Sequence, residues 1–283
     1  VAASPGLLSG APPAIFDFVL QQLSPERPVA LREASIRALS SSSLDRERKL
    51  ALISTIRHCG PLEVNRLFRM FEKESDEKLC AQLLDSLSSS SGRDGLRPEN
   101  LAQWLKKKKP AVRKKGETLL GELQGNTPQQ KEHLSALNRS LPVGDIRRGQ
   151  AVFNSPKTAC SSCHAIGYLG GRIGPDLTRI GQVRSELDLL EALVYPSLSI
   201  VRSYEPVEVI TKTGKVHSGI LQEEEGGILT IITGPTTRAT ISKTDLAELR
   251  PGKTSIMPAG LDKQISRQEL ADLLAFLKAT RWK

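Results

Sequence analysis

Cys160, Cys163 and His164 are the residues of this 283-residue chain whose types and spacing point to a defined chemistry. They stand in the stretch KTACSSCHAIG, where a histidine directly follows the second of two cysteines three positions apart. This C-x-x-C-H spacing is the attachment signal of c-type haem. Two thiols on one helical turn reach the two vinyl groups of a porphyrin, and the next residue directs its imidazole at the iron. We therefore expect Cys160 and Cys163 to anchor one haem c covalently and His164 to bind its iron.

Zinc binding and thiol redox chemistry are the alternative uses of this cysteine pair. A structural zinc site needs four ligands at short spacing, and no second Cys or His pair lies nearby in the sequence. A thioredoxin-like redox pair needs a βαβ context, whereas the residues before Cys160 indicate helix and loop. Haem attachment is therefore the favoured interpretation.

The first 126 residues are predicted to form a domain of helical repeats. VALREASIRALSSSS and EKLCAQLLDSLSSSS share an apolar stripe at helical spacing and the same serine-rich end. Stacked amphipathic helices with short polar turns bury a continuous core, as α-solenoids do. This region resembles HEAT or armadillo-type repeats, and an ordinary helical bundle is the alternative. Cys59 and Cys80 fit buried apolar positions here, which favours free thiols over a disulfide.

Residues 127–143 are predicted as a connecting helix and linker, and a second domain as 144–283. Within it, at about 204–250, the hydrophobic period changes to two, and Gly-containing turns separate four β-rich runs. We expect a small inserted antiparallel β-sheet or partly closed barrel, ending in a short helical turn at TDLAELR. The last helix is predicted to begin with a capping box of Ser266 and Glu269.

Several motifs of the second domain resemble, in order, the class I cytochrome c pattern. Gly149 and Phe153 match the first helix of that family, and Phe276 matches the last helix, which the first one crosses. Gly174, Pro175 and Leu177 match the Gly-Pro-x-Leu segment that follows the haem motif. The resemblance implies that the Pro175 carbonyl accepts the ring N–H of His164 and so fixes its orientation.

The same resemblance implies a methionine as the ligand on the opposite face of the iron. The chain has two methionines, and Met257 lies in the proline-containing stretch SIMPAG, whereas Met70 lies in the helical region. Met257 is therefore the predicted ligand, and His217, in the β-insert, is the competitor. Arg172 could pair with a haem propionate, because guanidinium binds carboxylates bidentately; an exposed loop arginine is the alternative.

The β-insert between the Gly-Pro segment and Met257 departs from the ordinary class I pattern. This order resembles the multidomain haem-binding domain family described from Planctomycetes and Verrucomicrobia. In that family the domain commonly follows HEAT-like repeats, and often a dehydrogenase-like β-propeller. The implied fold is mainly α: solenoid-like helical repeats plus a class I cytochrome c fold with an inserted antiparallel sheet. The implied partners are a dehydrogenase as electron donor, attached or separate, and a respiratory acceptor.

One-electron transfer by a single haem is the function we expect, which makes the chain an electron carrier rather than an enzyme. Two alternatives stay open. One is a haem enzyme or sensor with an open or labile sixth site, peroxidase-like in behaviour. The other is a protein-interaction scaffold with a structural haem, including a homodimer through the strand edges of the insert.

Charge and chain composition add expectations about surroundings. The formal net charge is +9, and the densest basic run is KKKKPAVRKK. Such a run attracts an acidic partner, an anionic membrane surface or nucleic acid, whereas a solvated helix face is the alternative and the favoured interpretation. The run has no interleaved aromatics, so a specific nucleic-acid site gains no support. No stretch approaches the roughly 18 apolar residues that span a bilayer. The start VAASPGLLSG lacks the basic and apolar regions of a signal peptide, so we expect a processed or truncated product. Because c-type haem attachment requires export-side machinery, we expect a periplasmic or otherwise exported location.

Overall fold

The computed structural model describes residues 8, 10–124 and 127–281. The chain divides into two compact units, Val1–Glu132 (the N-terminal unit) and His133–Lys283 (the C-terminal unit). The described residues form twelve α-helices and a five-stranded antiparallel sheet. The predicted helix-rich chain with a small antiparallel sheet is thereby confirmed.

Amphipathic helices build the N-terminal unit. Aspartates cap two of them, since Asp45 accepts a hydrogen bond from Arg48 N and Asp76 accepts one from Leu79 N. Proline occupies the first turn of four others, where its missing N–H costs nothing. The helices are α1 Pro13–Gln21, α2 Val29–Ser40, α3 Arg46–Ile56, α4 Pro61–Arg69, α5 Glu77–Ser88, α6 Pro98–Leu105 and α7 Pro110–Gln124.

One apolar core joins these helices and also contains charged side chains. Arg32 is fully buried and donates to Glu63 at 2.5 Å, so neither charge lies unpaired in the core. Cys59 and Cys80 are both buried free thiols, which confirms that interpretation. The division between the two units falls within helix α8, Thr127–Ser140.

Four further helices belong to the C-terminal unit: α9 Ile146–Asn154, α10 Ile180–Val183, α11 Glu186–Val194 and α12 Arg267–Ala279. The predicted capping box of Ser266 and Glu269 begins α12. Helices α9 and α12 cross closely, because a Cβ atom on Gly149 would lie 1.9 Å from the carbonyl oxygen of Asp272. The rings of Phe153 and Phe276 pack with their centroids 5.6 Å apart. The crossing predicted from Gly149, Phe153 and Phe276 is confirmed.

The inserted sheet is antiparallel throughout and has the strand order β6-β5-β4-β3-β7. Its own small core consists of Val209, Leu229, Ile231 and Ile241. A separate two-stranded hairpin, of β1 Ala165–Ile166 and β2 Leu169–Gly170, follows the haem motif. The strands of the insert are β3 Val207–Thr211, β4 Val216–Glu225, β5 Ile228–Gly234, β6 Thr237–Ser242 and β7 Leu246–Pro251.

The helical turn predicted for TDLAELR was wrong over most of its length. A 3-10 turn covers Lys243–Asp245, and residues Leu246–Pro251 form strand β7. This strand pairs with β3, and Leu246 packs against the core of the sheet. Pairing with a neighbouring strand therefore overrides the helical propensity of Leu, Ala and Glu.

None of the described helices combines the length and apolar character needed to cross a membrane.

Candidate haem site

Cys160, Cys163 and His164 lie on one tight turn. Cys160–Ser162 form a 3-10 helix, and the backbone nitrogens of Cys163 and His164 both donate to the carbonyl oxygen of Cys160, at 3.1 and 2.9 Å. Ala159 enters the turn in the left-handed region, with a φ of 49°, which is strained for a residue with a side chain. The three chemistry-bearing residues are thus held close together by backbone bonds.

The turn is fixed to helix α9. Thr158 is buried, and its hydroxyl donates to the carbonyl oxygen of Val152 at 2.5 Å. The backbone nitrogen of Ala159 donates to the carbonyl oxygen of Ser155 at 2.8 Å. These bonds join the end of α9 to the beginning of the motif, so the helix crossing of α9 and α12 positions the cysteines.

Both motif cysteines are free thiols, and Cys160 packs on the apolar core of the C-terminal unit. Burial raises the pKa of the Cys160 thiol to about 11, so the group is protonated at neutral pH. A cleft beside Cys160 is lined by apolar side chains, among them Leu193, Leu261, Ile265 and Leu273. The surface next to the first cysteine is therefore largely apolar, and the cleft itself is small.

His164 has one ring nitrogen committed to the protein. Nδ1 lies 2.8 Å from the carbonyl oxygen of Pro175. Because a carbonyl only accepts, Nδ1 carries the hydrogen and Nε2 keeps its lone pair. Burial lowers the pKa of His164, with the Pro175 bond acting in the opposite direction, and favours the neutral ring. A neutral imidazole with an open Nε2 is the form that binds a metal.

The segment after the motif packs directly against it. A Cβ atom on Gly174 would lie 2.6 Å from Cε1 of His164, so the ring lies on the backbone at this position. Gly174 N donates to the carbonyl oxygen of Cys163 at 2.9 Å, and Leu177 N donates to that of Ala165 at 2.8 Å. The ring of His164 is therefore held in place by the backbone of Gly174, Pro175 and Leu177.

Met257 lies in an irregular segment, 252–261, between strand β7 and helix α12. Its side chain is half-buried and packs against the same apolar core as Cys160 and Leu177. Met70, in contrast, packs on the core of the N-terminal unit. His217 lies on β4 opposite Val209, within the inserted sheet.

Arg172 is exposed, on the segment between the hairpin and Gly174. Hydrogen bonds from Thr178 hold the pKa of Asp176 below its usual value, and the charge of Arg172 adds to this effect. The guanidinium of Arg172 thus lies in the field of a carboxylate of the chain itself.

Sequence reasoning missed three hydroxyl residues around the site. Thr178 accepts a hydrogen bond from Gly167 N at 2.7 Å and so fixes the β1–β2 hairpin. Ser197 and Ser255 bond the segment that carries Met257 to the chain after α11. Single serines and threonines in irregular segments form no periodic pattern, and therefore gave no signal.

The residues of this site fit a c-type haem. Two thiols and an imidazole with an open nitrogen share one turn, and apolar surface lies beside them. No cluster of three or more His, Cys, Asp and Glu side chains suited to a metal ion occurs in the described part of the chain. The four ligands of a structural zinc site are thus not assembled among these residues.

Comparison with known proteins does not assign the chain to a family. No protein-family model matches the chain, and a search of curated proteins found no significant match.

Proposed function

We propose that the chain is a mono-haem c-type cytochrome that transfers single electrons. In this proposal the C-terminal unit has a class I-like cytochrome c fold with an inserted sheet, and the N-terminal unit is a HEAT-like solenoid. The observation that carries the proposal is the bond between His164 Nδ1 and the Pro175 carbonyl oxygen, at 2.8 Å. It leaves Nε2 of a half-buried, neutral imidazole open beside the two cysteine thiols.

The roles of the residues follow from their chemistry. Cys160 and Cys163 would form the two thioether links, and His164, through Nε2, and Met257, through its sulfur, would be the iron ligands that the protein supplies. A bound haem c would supply the electron transfer, its iron alternating between the ferric and ferrous states. Pro175 orients the imidazole and prevents its rotation, because the bond to its carbonyl fixes the ring plane.

The apolar surroundings of the site lower the local dielectric constant and exclude water. Leu177, Leu193 and Leu273 belong to or pack against the core that Cys160 contacts. An apolar surface of this kind keeps water from the ligand bonds and favours the neutral, thioether-bearing Met257 over a charged ligand. His and Met ligation raises the reduction potential relative to anionic donors.

Partners and location are part of the same proposal. The electron donor would be a dehydrogenase, attached or separate, and the acceptor a respiratory protein. Because c-type haem is attached outside the cytoplasm, the protein would work in the periplasm or be otherwise exported. The net charge of +9 favours acidic partners, and strands β6 and β7, at the edges of the inserted sheet, offer pairing surfaces for a homodimer.

A labile sixth site, with peroxidase-like or ligand-sensing behaviour, is the second candidate function. The observation that favours it is that Met257 stands in an irregular segment rather than on a helix or strand. A ligand on such a segment can leave more easily than one fixed by regular structure. The two functions differ in whether Met257 binds the iron in both oxidation states.

Optical spectra of the full chain, produced with c-type maturation machinery, test the proposal. We expect covalent, low-spin haem in both oxidation states, and a ferric thioether-to-iron band that Met257→Ala abolishes. The matched control, His217→Ala, should retain the band. An unchanged spectrum in Met257→Ala would remove Met257 as the ligand, and a high-spin wild-type spectrum would favour the labile site. Absence of covalent haem from the wild type would overturn the proposal itself.

A further inference from the structure

The segment that carries Met257, residues 252–261, is bonded to the chain through two serines. We infer that Ser197 and Ser255 are positioning residues that fix Met257 at the iron, and so determine how readily another ligand replaces it. This inference rests on the proposed role of Met257 as the sixth ligand. It adds two residues whose roles the family resemblance does not imply.

The hydrogen bonds run in series toward Met257. The backbone nitrogen of Ser255 donates to Ser197 Oγ at 3.0 Å. The hydroxyl oxygen of Ser255 in turn accepts from the backbone nitrogen of Met257 at 3.2 Å. Both distances fall within the normal range or at its upper end. Ser255 therefore links Met257 to Ser197 through its own backbone and side chain.

Ser197 is exposed and lies three residues beyond the end of helix α11. It follows helix α11, whose Leu193 and Val194 are buried in the core of the C-terminal unit. Tyr195 N donates to the carbonyl oxygen of Glu191 at 2.7 Å, and the buried Pro196 restricts the backbone just before Ser197. The bond from Ser255 N thus ties the Met257 segment to the chain just after a core helix.

The two ends of the segment are fixed separately. Gly252 N donates to the carbonyl oxygen of Pro206 at 2.8 Å, at the end of strand β7. Leu261 is buried at the other end, with 6% of its surface exposed. Between these ends the backbone has no regular structure, so the position of Met257 depends on individual bonds. The bond accepted by Ser255 acts on the backbone of Met257 itself.

A loss of one such bond should shift the equilibrium between bound and released Met257. A single partly exposed hydrogen bond has a modest net contribution, and the expected change is about two- to tenfold in the fraction of released ligand. An external ligand that competes with Met257 would report that fraction directly, because its apparent affinity rises with the population of the open state.

The experiment is a titration of the haem-loaded, ferric full chain with imidazole. Ser255→Ala and Ser197→Ala should lower the apparent Kd for imidazole about two- to tenfold and weaken the thioether-to-iron band. Ser255→Thr, which keeps the hydroxyl, should have the Kd for imidazole and the thioether-to-iron band of the wild type. Ser199→Ala is the matched control, since Ser199 lies two residues after Ser197, is exposed and makes no side-chain hydrogen bond within the described residues; it should match the wild type.

A second comparison separates positioning from general destabilisation. In a Met257→Ala background, Ser255→Ala should leave the imidazole affinity unchanged, because no ligand remains to be released. A further rise in affinity in that background would overturn the inference. So would affinities for Ser197→Ala and Ser255→Ala that equal the affinity of Ser199→Ala.

These outcomes are distinct from a failure of the proposed function. If the wild type shows no thioether-to-iron band, Met257 is not the ligand, and the inference is overturned together with that assignment. If the band is present and the serine variants leave it and the imidazole affinity unchanged, the inference alone is overturned.

Discussion

His164 shows how much chemistry a single backbone contact decides. Its Nδ1 lies 2.8 Å from the carbonyl oxygen of a residue eleven positions away, Pro175. Without that contact the half-buried imidazole could present either nitrogen, or adopt either tautomer. With it, only Nε2 is open. The backbone at Gly174, against which the ring packs, completes the restriction.

A methyl group at position 174 should disturb this arrangement. In Gly174→Ala the new Cβ would lie 2.6 Å from Cε1 of His164, so the ring or the loop must move. We expect the C-terminal unit to lose about 1 to 3 kcal/mol of unfolding free energy, as overpacked sites do. Urea unfolding measures the loss, and NMR of the imidazole nitrogens reports whether Nδ1 keeps its hydrogen bond. Wild-type stability combined with wild-type imidazole shifts would contradict the contact.

At the scale of single residues, the sequence predicted the chemistry-bearing residues of the site but not the bond between Ser255 and Ser197. The motif residues, and the contact between His164 and Pro175, were predicted from the C-x-x-C-H spacing and from the family resemblance. The Ser255–Ser197 bond joins residues 58 positions apart. No periodicity, cap or turn pattern encodes such a contact, because it depends on where two irregular segments meet in three dimensions.

The crossing of helices α9 and α12 is the element-scale feature that positions the motif. It brings Gly149 into contact with the backbone of Asp272, and it packs the ring of Phe153 against that of Phe276 at a tilt of 53°. Because Thr158 and Ala159 are bonded to the end of α9, any shift of that helix moves Cys160 as well. A substitution that changes the packing of α9 on α12 should therefore also displace the candidate site.

Gly149→Ala tests the crossing. Its Cβ would lie 1.9 Å from a backbone oxygen, which cannot rotate away, so the helices must separate. We expect the C-terminal unit to lose at least about 2 kcal/mol of unfolding free energy. The control is Gly121→Ala in helix α7, where nothing lies within 4 Å of the new Cβ; it should stabilise its unit by about 0.5 to 1 kcal/mol. Equal effects of the two substitutions in denaturant unfolding would contradict the close crossing.

The same helix pair carries a pH dependence at Asp272. Arg148 donates to both oxygens of this buried carboxylate, at 2.7 and 2.9 Å, and Asp145 N and Gln268 donate as well. The Arg148 bonds are the main reason why the pKa of Asp272 falls to about 2. The stabilisation is present above the unfolded pKa of about 4 and is lost as the pH falls toward 2.

Its expected size is about 1 to 2 kcal/mol, because Arg148 is 59% exposed and solvent screens the pair. The test of this contribution is to measure the unfolding free energies of the wild type and of Asp272→Asn between pH 5 and pH 2, in steps of about half a pH unit. The difference between the two proteins should shrink toward low pH. A constant difference across this range would show that Asp272 does not titrate with the low pKa.

Element prediction succeeded where local chemistry and tertiary packing agree, and it failed where they conflict. Ser266 and Glu269 bond each other's backbone at the start of α12, so the capping box was visible in the sequence. Residues 246–251 have helical propensity, yet β7 pairs with β3, which lies 35 or more residues earlier in the chain. Sequence alone does not reveal that an edge of β3 is open to receive this strand.

Two separate cores organise the whole molecule. The first contains apolar residues of α1 to α7, and the second contains residues of α8 to α12, with a further small core inside the sheet. Because the proposed haem ligands all belong to the C-terminal unit, the N-terminal unit should be stable without the cofactor. A ligand raises the stability only of the part of the chain that it binds.

Calorimetry of the full chain, with and without attached haem, tests this independence. We expect two unfolding transitions, of which haem attachment raises only one. The Tm of the N-terminal unit should stay the same. Cys59 and Cys80, which are buried in the core of that unit, should remain unreactive until it unfolds. A single transition that shifts as a whole on haem attachment would contradict separate units.

The central claim is that CSSCH attaches a haem, and intact mass measured under denaturing conditions tests it most directly. The full chain, produced with c-type maturation machinery, should carry the added mass of one haem that denaturation does not remove. The double substitution Cys160→Ala/Cys163→Ala should abolish this added mass, whereas Cys80→Ala, the control for a thiol outside the motif, should retain it. A wild-type chain without covalent haem, or an added mass that survives the double substitution, would contradict the account.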